Sequence, residues 1–542
     1  MTEDAGATTT TASPPPEDGT TSVAAGSPAA DAIPVASTGG AAATSAEPVR
    51  GGASPAGRGM EALINELRHN PHAGPQLPDA GVPARDFDDL VPDPLRRHRP
   101  FTLPTTSEPE VLRHFGRLAR RTFSLQEGLY PLGSCTMKYN PAVNEVIARL
   151  DGFAGIHPYQ PQETVQGALR LIWELEQWLI EITGMDRISL QPAAGAHGEW
   201  TGLRVIQAFH RDNGEGDTRD TVLVPDSAHG TNPASATLAG LKAVTVKSTA
   251  AGLVDLDDYR SKLGPHVAAI MLTNPNTLGL FERDISALAR MAHEAGALLY
   301  YDGANLNALL GAARPGDMGF DVVHLNLHKT FSTPHGGGGP GAGPCGVKQR
   351  LAKYLPVPVV ERRDDDTYEL DWHRPQSIGK VRSFFGNFAV LVKAYAYARA
   401  YGGAGLRQVA MDAVLNANYL KSRLGRIFDV ASPEPSLHEF VLTTRKAKQL
   451  GVNNIDIAKR LLDYGFYAPT VSFPLTVPEA LMVEPTETES KETLDAFVDA
   501  MARIWEEVQT DPEMVKHAPH TTPVGRLDEV KAARQPKLTW RS

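Results

Sequence analysis

The chain has 542 residues, with 53 lysines and arginines against 63 aspartates and glutamates, so its formal charge is -10. This length allows a large core, and the acidic balance argues against a general binder of nucleic acids or membrane surfaces. Two cysteines, Cys135 and Cys345, are too few for a disulfide framework. Because no apolar run approaches the ~18 to 20 residues that span a bilayer, we expect a soluble, cytoplasmic protein.

The chain begins with a low-complexity segment, residues 1–56, that is rich in Ala, Thr, Ser, Pro and Gly. It has too few large apolar side chains to offset the entropy of ordering, so it is predicted to be a disordered tail. Its acids outnumber its bases, which argues against an organellar presequence. Residues 57–125 mix short helical patterns with Pro-rich connectors and are predicted to form an N-terminal arm.

Alternating strand and helix patterns dominate the middle of the chain. Apolar residues at steps of three and four predict a helix over 164–182. This alternation predicts a doubly wound, mainly parallel sheet, with ligands beyond the carboxyl ends of the strands. The predicted strands are 221–224, 243–246, 267–272, 297–301 and 322–325.

Two domains are expected, because the regular alternation of strand and helix patterns ends near residue 376. Residues 126–375 are predicted to form a large domain around the parallel sheet, and 376–520 a smaller α+β domain. Within the smaller domain the sequence predicts a strand at 440–442, a helix at 455–464 and a last helix capped by Ser490. Residues 521–542 are a C-terminal extension.

The strongest chemical signal is the segment 321–331, DVVHLNLHKTF, followed by a glycine run at 336–339. A lysine between an apolar strand and a glycine-rich loop is partly desolvated. Its amine could form a Schiff base with an aldehyde cofactor such as pyridoxal phosphate. From this pattern alone, a surface lysine is the more frequent alternative for Lys329.

Two further segments offer groups for such a cofactor. Asp302 directly follows the predicted strand 297–301, where a carboxylate could hold a protonated pyridine nitrogen. A capping or loop acid is the alternative. His229, in the segment VPDSAHGTNPASA, could stack on an aromatic ring, although a lone histidine is more often a loop or core residue.

Glycine-rich and polar segments complete the set. Ala194 and Gly195 precede a predicted helix, whose first N–H groups suit a phosphate. Thr277, in TNPNTLG, could meet the ring or the phosphate, unless this is an ordinary Asn-Pro turn. The motif PLGSCTMKYN at 131–140 is interpreted as a gate or positioning loop. No metal is expected, since the histidines lack a typical ligand spacing.

The segments PLGSCTMKYNP, GAHGE, SAHGTNPASA, YYDGANLNALLG and HLNLHKTF, followed by PHGGGGPGAGP, closely resemble the glycine cleavage system P-protein family over roughly residues 60–520. The resemblance implies a fold-type I pyridoxal phosphate enzyme with an aspartate aminotransferase-like fold. Single-chain members contain two homologous halves. This chain resembles the half that carries the lysine, subunit 2 of the split form.

The resemblance also implies an activity, which is decarboxylation of glycine with transfer of the aminomethyl group to the lipoyl arm of H-protein. It implies a partner, subunit 1, in a heterotetramer with two copies of each chain. Pyridoxal 5'-phosphate would be covalently bound to Lys329, with Asp302 at the ring nitrogen and His229 stacked on the ring. Further cofactor contacts are expected from Thr277, Ala194, Gly195 and His328. His328 is expected to adjust proton transfer or to contact the phosphate. For the glycine carboxylate and the lipoyl arm, motif position nominates His157, Ser134, Cys135 and Arg382.

Two alternatives stay open at this point. The chain could be another fold-type I amino acid decarboxylase with a small-molecule acceptor, although the dense motif at 131–140 favours the glycine system. It could also be a noncatalytic scaffold half. The presence of Lys329 argues against that second alternative.

Overall fold

The computed structural model describes residues 61–66, 78–99, 104–336 and 341–539. The predicted tail over residues 1–56 lies outside the described residues, as does most of the glycine run at 336–339. Within the described ranges, no helix has both the length and the apolar character that crossing a bilayer would require.

The helices of these ranges alternate with strands through the middle of the chain. The helices are α1 Phe87–Leu90, α2 Glu108–Ala119, α3 Ala142–Ala148, α4 Asp151–Ala154, α5 Gln166–Thr183, α6 Gly195–Asp212, α7 Thr231–Leu238, α8 Leu256–Lys262, α9 Ile285–Glu294, α10 Leu327–Thr330, α11 Phe388–Leu424, α12 Arg445–Gln449, α13 Asn454–Asp463, α14 Lys491–Thr510, α15 Pro512–Lys516 and α16 Glu529–Arg534. The strands are β1 Arg187–Ser189, β2 Thr221–Pro225, β3 Lys242–Val246, β4 Val267–Thr273, β5 Leu298–Gly303, β6 Val322–Leu325, β7 Cys345–Val347, β8 Val359–Arg362, β9 Tyr368–Asp371, β10 Asp429–Val430, β11 Phe440–Thr443, β12 Thr470–Val471 and β13 Ala480–Val483.

A seven-stranded sheet lies at the centre of the molecule, in the order β1-β7-β6-β5-β4-β2-β3. Its strands β2 to β6 run parallel, and β7 is antiparallel to both β6 and β1. The five parallel strands are those expected from the sequence, so the prediction of a mainly parallel sheet is confirmed. Strands β1 and β7 were not predicted, because three residues are too short to show a period.

The parallel strands are covered on both faces. All seven residues of β4 are buried, and its six apolar residues divide between two cores. Ile270 and Leu272 pack into a core with α5, α9 and α11, whereas Ala269 and Met271 pack into another with α6 and α7. A strand buried on both faces needs apolar residues at every position, which explains its unbroken apolar sequence.

A second, antiparallel sheet has the strand order β10-β11-β13-β12. Its face formed by Phe440, Leu442, Leu481 and Val483 packs against α13 and α14, and Ser490 caps α14 by accepting a hydrogen bond from the N–H of Thr493. Its other face contacts the chain that follows β4, since Met482 packs with Leu278 and Leu280. The small sheet therefore lies against the loops at the carboxyl ends of the parallel strands.

Candidate active site

Three polar side chains lie side by side where the parallel strands end. Thr273 of β4 pairs in register with Asp302 of β5, which pairs with His324 of β6. All three are buried. The alternating pleat points them to the same face of the sheet, so neighbouring strands bring together residues that are far apart in sequence.

Asp302 is surrounded by hydrogen-bond donors. The amide of Asn232 donates to its Oδ2 at 2.8 Å, and the N–H of Ala304 donates to its Oδ1 at 3.0 Å. His324 Nε2 lies 3.2 Å from Oδ1. Burial alone would raise the pKa of Asp302, but His324, the Asn232 amide and the Ala304 N–H together hold that pKa below its ordinary value. The group is therefore a buried carboxylate.

His324 is fixed from its other side as well. Its Nδ1 lies 3.0 Å from the hydroxyl of Tyr300, which also donates to the carbonyl of Gly198 at 3.2 Å. Tyr300 is fully buried within β5. A buried chain from Gly198 through Tyr300 and His324 therefore holds the Asp302 carboxylate in place.

Lys329 lies in the short helix α10, four residues after the end of β6. Its Nζ donates to the carbonyl of Ser134 at 2.8 Å, which brings the motif at 131–140 to the lysine. The side chain is half-buried. Because β5 and β6 are parallel neighbours, Asp302 and Lys329 both lie at the carboxyl edge of the sheet, as the sequence predicted.

His229 lies on the loop between β2 and α7. Its Nδ1 is 3.0 Å from the hydroxyl of Thr231, which in turn donates to Oε1 of the buried Glu199 at 2.9 Å. Partial burial and the nearby Lys329 ammonium lower the pKa of His229, so its ring is neutral near pH 7. A substantial part of the His229 residue is still exposed to solvent, which leaves room for a ligand beside it.

The N-terminus of α6 approaches the end of β6 very closely. A Cβ on Gly195 would lie 2.2 Å from Oδ1 of Asn326, so glycine is required there. Ala194 precedes the helix and has no polar side chain that could cap it. The first N–H groups of an 18-residue helix are thus available to an anion, and the helix dipole favours a negative charge at this end.

Two buried polar atoms near Asp302 lack a hydrogen-bond partner among the described residues. They are Oε2 of Glu199 and Oδ1 of Asn232. Unsatisfied buried polar atoms are rare in folded proteins and often lie where a ligand binds. An amine, a buried carboxylate, an accessible ring and an uncapped helix N-terminus are the groups that pyridoxal phosphate requires, so the residues fit this cofactor.

The other two predicted cofactor contacts, Thr277 and His328, form hydrogen bonds with the backbone of neighbouring loops. Thr277 is buried, and its hydroxyl donates to the carbonyl of Ser227 at 2.5 Å, which joins the loops after β2 and β4. His328 accepts a hydrogen bond from the N–H of Ala342 at 3.4 Å. Burial, His335 and Lys329 lower the pKa of His328 to about 3, so its imidazole is neutral.

The four nominated substrate residues divide into two groups. Ser134 and Cys135 lie beside Lys329, and burial raises the pKa of the Cys135 thiol although Lys329 opposes this. His157 packs against Tyr159, whose ring contacts Phe384, so His157 lies near the segment that carries Arg382.

Sequence reasoning missed Glu199, His324 and the contact between the Ser134 carbonyl and Lys329. Glu199 and His324 lie within motifs already singled out, GAHGE and HLNLHK, but nothing in those motifs indicates which polar residue faces the crevice. Among the residues that the structure describes, potential metal-ligand atoms also lie within 4.8 Å of one another in two buried groups. These are Glu199 with Asp302 and His324, and His438 with Glu439 and Glu484.

A lysine after a parallel strand, with a carboxylate on the neighbouring strand, defines the class of the fold-type I pyridoxal phosphate enzymes. The family model described as Aminotransferase class-V matches residues 205–338, and the model described as Glycine dehydrogenase, C-terminal domain, matches residues 409–520. These two matches cover the lysine segment and the small sheet.

Two relatives define the family more closely, and both are named "Probable glycine dehydrogenase (decarboxylating) subunit 2". The protein of Bacillus licheniformis is 57% identical over 480 residues, which are 89% of this chain and 99% of the relative. That of Caldanaerobacter subterraneus subsp. tengcongensis is 56% identical over 478 residues, 88% of this chain and 98% of the relative. The chain belongs to the glycine dehydrogenase (decarboxylating) subunit 2 family.

Solved structures show the same fold. A glycine decarboxylase (P-protein) of the glycine cleavage system, in inhibitor-bound form, aligns with a TM-score of 0.63 and 23% identity, covering 77% of this chain and 93% of that one. A cysteine desulfurase from Thermococcus onnurineus aligns with a TM-score of 0.56 and 16% identity, covering 70% of this chain and 95% of that one. The predicted fold class is confirmed.

Proposed function

We propose that this chain is the catalytic half of a split glycine decarboxylase. It removes the carboxyl group of glycine with pyridoxal phosphate and passes the aminomethyl group to the lipoyl arm of H-protein. It works with subunit 1 in a cytoplasmic assembly that contains two copies of each chain. The observation that carries the proposal is the placement of Lys329 and Asp302 at the ends of adjacent parallel strands, and the names of the relatives support the choice of glycine.

When bound, pyridoxal phosphate supplies an electron sink for the electron pair left on the glycine carbon as the carboxyl group departs. Lys329 would hold the cofactor through its Nζ, which is the amine available to the aldehyde group. Asp302, which is ionised, holds a proton on the ring nitrogen through a charge-assisted hydrogen bond. His229 stacks its neutral ring on the cofactor ring and orients it.

The phosphate is assigned to the start of α6. The backbone N–H groups that follow Ala194 and Gly195 bind its oxygens, and Thr277 keeps the adjacent loops together. His328 acts as a neutral contact beside the lysine, because its pKa of about 3 leaves no proton to donate near pH 7. Together these residues would hold the cofactor in a fixed orientation at the carboxyl ends of the parallel strands.

The small sheet closes this site. We propose that residues 126–375 form the cofactor domain, that 376–520 form the smaller domain over it, and that 57–125 form an arm that wraps the assembly. In this arrangement the small sheet and the loop at 131–140 exclude water from the reacting carbon, which prevents premature protonation.

The test is glycine-dependent exchange of labelled bicarbonate into the glycine carboxyl group. The chain, loaded with pyridoxal phosphate, is assayed with lipoylated H-protein, with and without subunit 1. We expect exchange in the complete mixture and its loss in Lys329→Ala, whereas the surface variant Lys353→Ala keeps it. If subunit 1 is bound and the cofactor is loaded, yet no exchange occurs, the proposed function is wrong.

A further inference from the structure

The motif at 131–140 is anchored to three acids of the small sheet. Three alternate residues of the loop, Ser134, Thr136 and Lys138, each contact a different acid. One acid precedes β11 and the other two follow β13. We call these acids the anchor acids. The closest donor–acceptor pairs are Ser134 N–H with Glu439 at 2.6 Å, the Thr136 hydroxyl with Glu484 at 2.6 Å, and Lys138 Nζ with Glu487 at 2.8 Å.

Two of the anchor acids are cross-strand neighbours inside the protein. Phe440 of β11 pairs with Val483 of β13, so Glu439 and Glu484 are adjacent one position further along. Both are fully buried. Like charges at neighbouring positions of a sheet destabilise it, and burial adds a desolvation penalty.

The surroundings of this pair supply little positive charge. His438 is fully buried beside both carboxyl groups, and burial together with Lys329 lowers its pKa to about 3, so it is neutral. Burial raises the pKa of Glu484 to about 7, and it also raises the pKa of Glu439 well above its ordinary value. The charge of Lys329 lowers both pKa values, and Lys329 and Glu439 hydrogen-bond to the same residue, Ser134.

Glu439 has the most direct connection to Lys329. It accepts hydrogen bonds from both the N–H and the hydroxyl of Ser134, at 2.6 and 3.1 Å. Ser134 adopts φ 58°, a left-handed conformation that costs about 1 kcal/mol for a non-glycine residue. In this conformation its carbonyl accepts the hydrogen bond from Lys329 Nζ.

Glu439 also contacts the segment that follows Asp302. The amide of Asn305 donates to Oε1 of Glu439 at 3.2 Å and to the carbonyl of Pro275 at 3.0 Å. One buried carboxyl group therefore joins the loop at 131–140 to the loops that follow β4 and β5. A purely apolar contact could hold these segments together, but it could not direct the Ser134 carbonyl at the lysine.

We propose that Glu439 is a positioning residue for Lys329, which acts by holding Ser134 in the left-handed conformation that presents its carbonyl to the lysine amine. This inference rests on the proposed role of Lys329. Without the anchor, Ser134 relaxes to an ordinary backbone conformation and the amine loses its fixed direction.

The test follows the attachment of pyridoxal phosphate to Lys329 by stopped-flow absorption, using the full chain from which cofactor has been removed. Saturation with cofactor separates the dissociation constant of the first complex from the rate constant of bond formation. Glu439→Ala removes the acceptor, Glu439→Gln keeps the shape with a weaker acceptor, and Glu434→Gln neutralises an exposed acid of the same segment.

We expect the saturating rate constant to fall at least tenfold in Glu439→Ala and about threefold in Glu439→Gln, with no change in Glu434→Gln. The dissociation constant of the first complex should move less than twofold in all three. If Glu439→Ala does not fold, the comparison of the two Gln variants decides, and equal rate constants overturn the inference. Loss of the absorption change in Lys329→Ala is the separate check, since its persistence would refute the role of Lys329 itself.

Discussion

Replacing Asp302 by asparagine tests the electrostatics of the site with a minimal change of shape. Both carboxylate oxygens face donors, the Asn232 amide on one side and the Ala304 N–H on the other. The NH2 group of the new asparagine must therefore meet a donor in either orientation. A hydrogen bond to a charged group contributes about 1.5–3 kcal/mol. At 1.36 kcal/mol per tenfold change in rate, its loss in the transition state slows the reaction by about 10- to 150-fold.

The assay is the bicarbonate exchange reaction in the complete mixture, with cofactor occupancy measured in parallel. Asp321→Asn is the matched control. Asp321 is a buried carboxylate that directly precedes β6, so it lies at the amino ends of the parallel strands, opposite the site. It accepts hydrogen bonds from His293 and the N–H of Leu299. We expect Asp321→Asn to lower stability but to keep the rate per folded, loaded molecule. An Asp302→Asn rate within threefold of the wild type, at equal occupancy, would refute the reasoning.

Three further predictions concern stability. Burial raises the pKa of Glu484 from 4.5 to about 7, so the folded state binds this proton more tightly than the unfolded state does. The free energy of unfolding therefore falls as pH rises from about 5 to 7. Glu484→Gln should make this fall smaller in thermal melts. Lys138→Met should lower the free energy of unfolding in urea by about 3–5 kcal/mol, because it leaves the mostly buried Glu487 unpaired. Gly202→Ala should lower it by about 1–3 kcal/mol, since the new Cβ would lie 2.5 Å from the Tyr300 ring.

Each of these changes has a control. Buried histidines with a lowered pKa, such as His438, give the opposite pH slope. The first prediction therefore concerns the difference between wild type and variant, and parallel curves would contradict it. A double variant that also carries Glu487→Gln should recover part of the loss in Lys138→Met; strictly additive losses would contradict the pairing. Gly167→Ala, in α5 with open space around it, should not destabilise the protein, and an equal loss there would point to a general glycine effect.

The sequence predicts the large sheet and the positions of Asp302 and Lys329 at the carboxyl ends of its strands. Apolar strands followed by Asp302 and Lys329 are local signals, because each strand and its first loop residues lie within a few positions. Their meeting at one edge follows from the rule for parallel strands. The signals for helix α5 and for the Ser490 cap also lie within short stretches of sequence, and both predictions are confirmed.

The remaining part of the site depends on contacts that no local pattern encodes. The sequence predicts a gate or positioning loop at 131–140, but the acids that bind this loop flank the small sheet, more than 300 residues away. Neither Glu439 nor Glu484 differs in sequence from an ordinary strand-flanking acid. His324 looked like one more residue of a buried strand, and only its register opposite Asp302 reveals its contact with the carboxylate.

The anchoring of the loop at 131–140 also constrains the order of assembly during synthesis. Its three pairs close sequence separations of 305, 348 and 349 residues. All strands of the large sheet have left the ribosome well before Glu439, Glu484 and Glu487 are translated. The nascent chain can therefore form its sheet while Ser134 is still unanchored, and the lysine gains its fixed orientation only when the last quarter of the chain has docked.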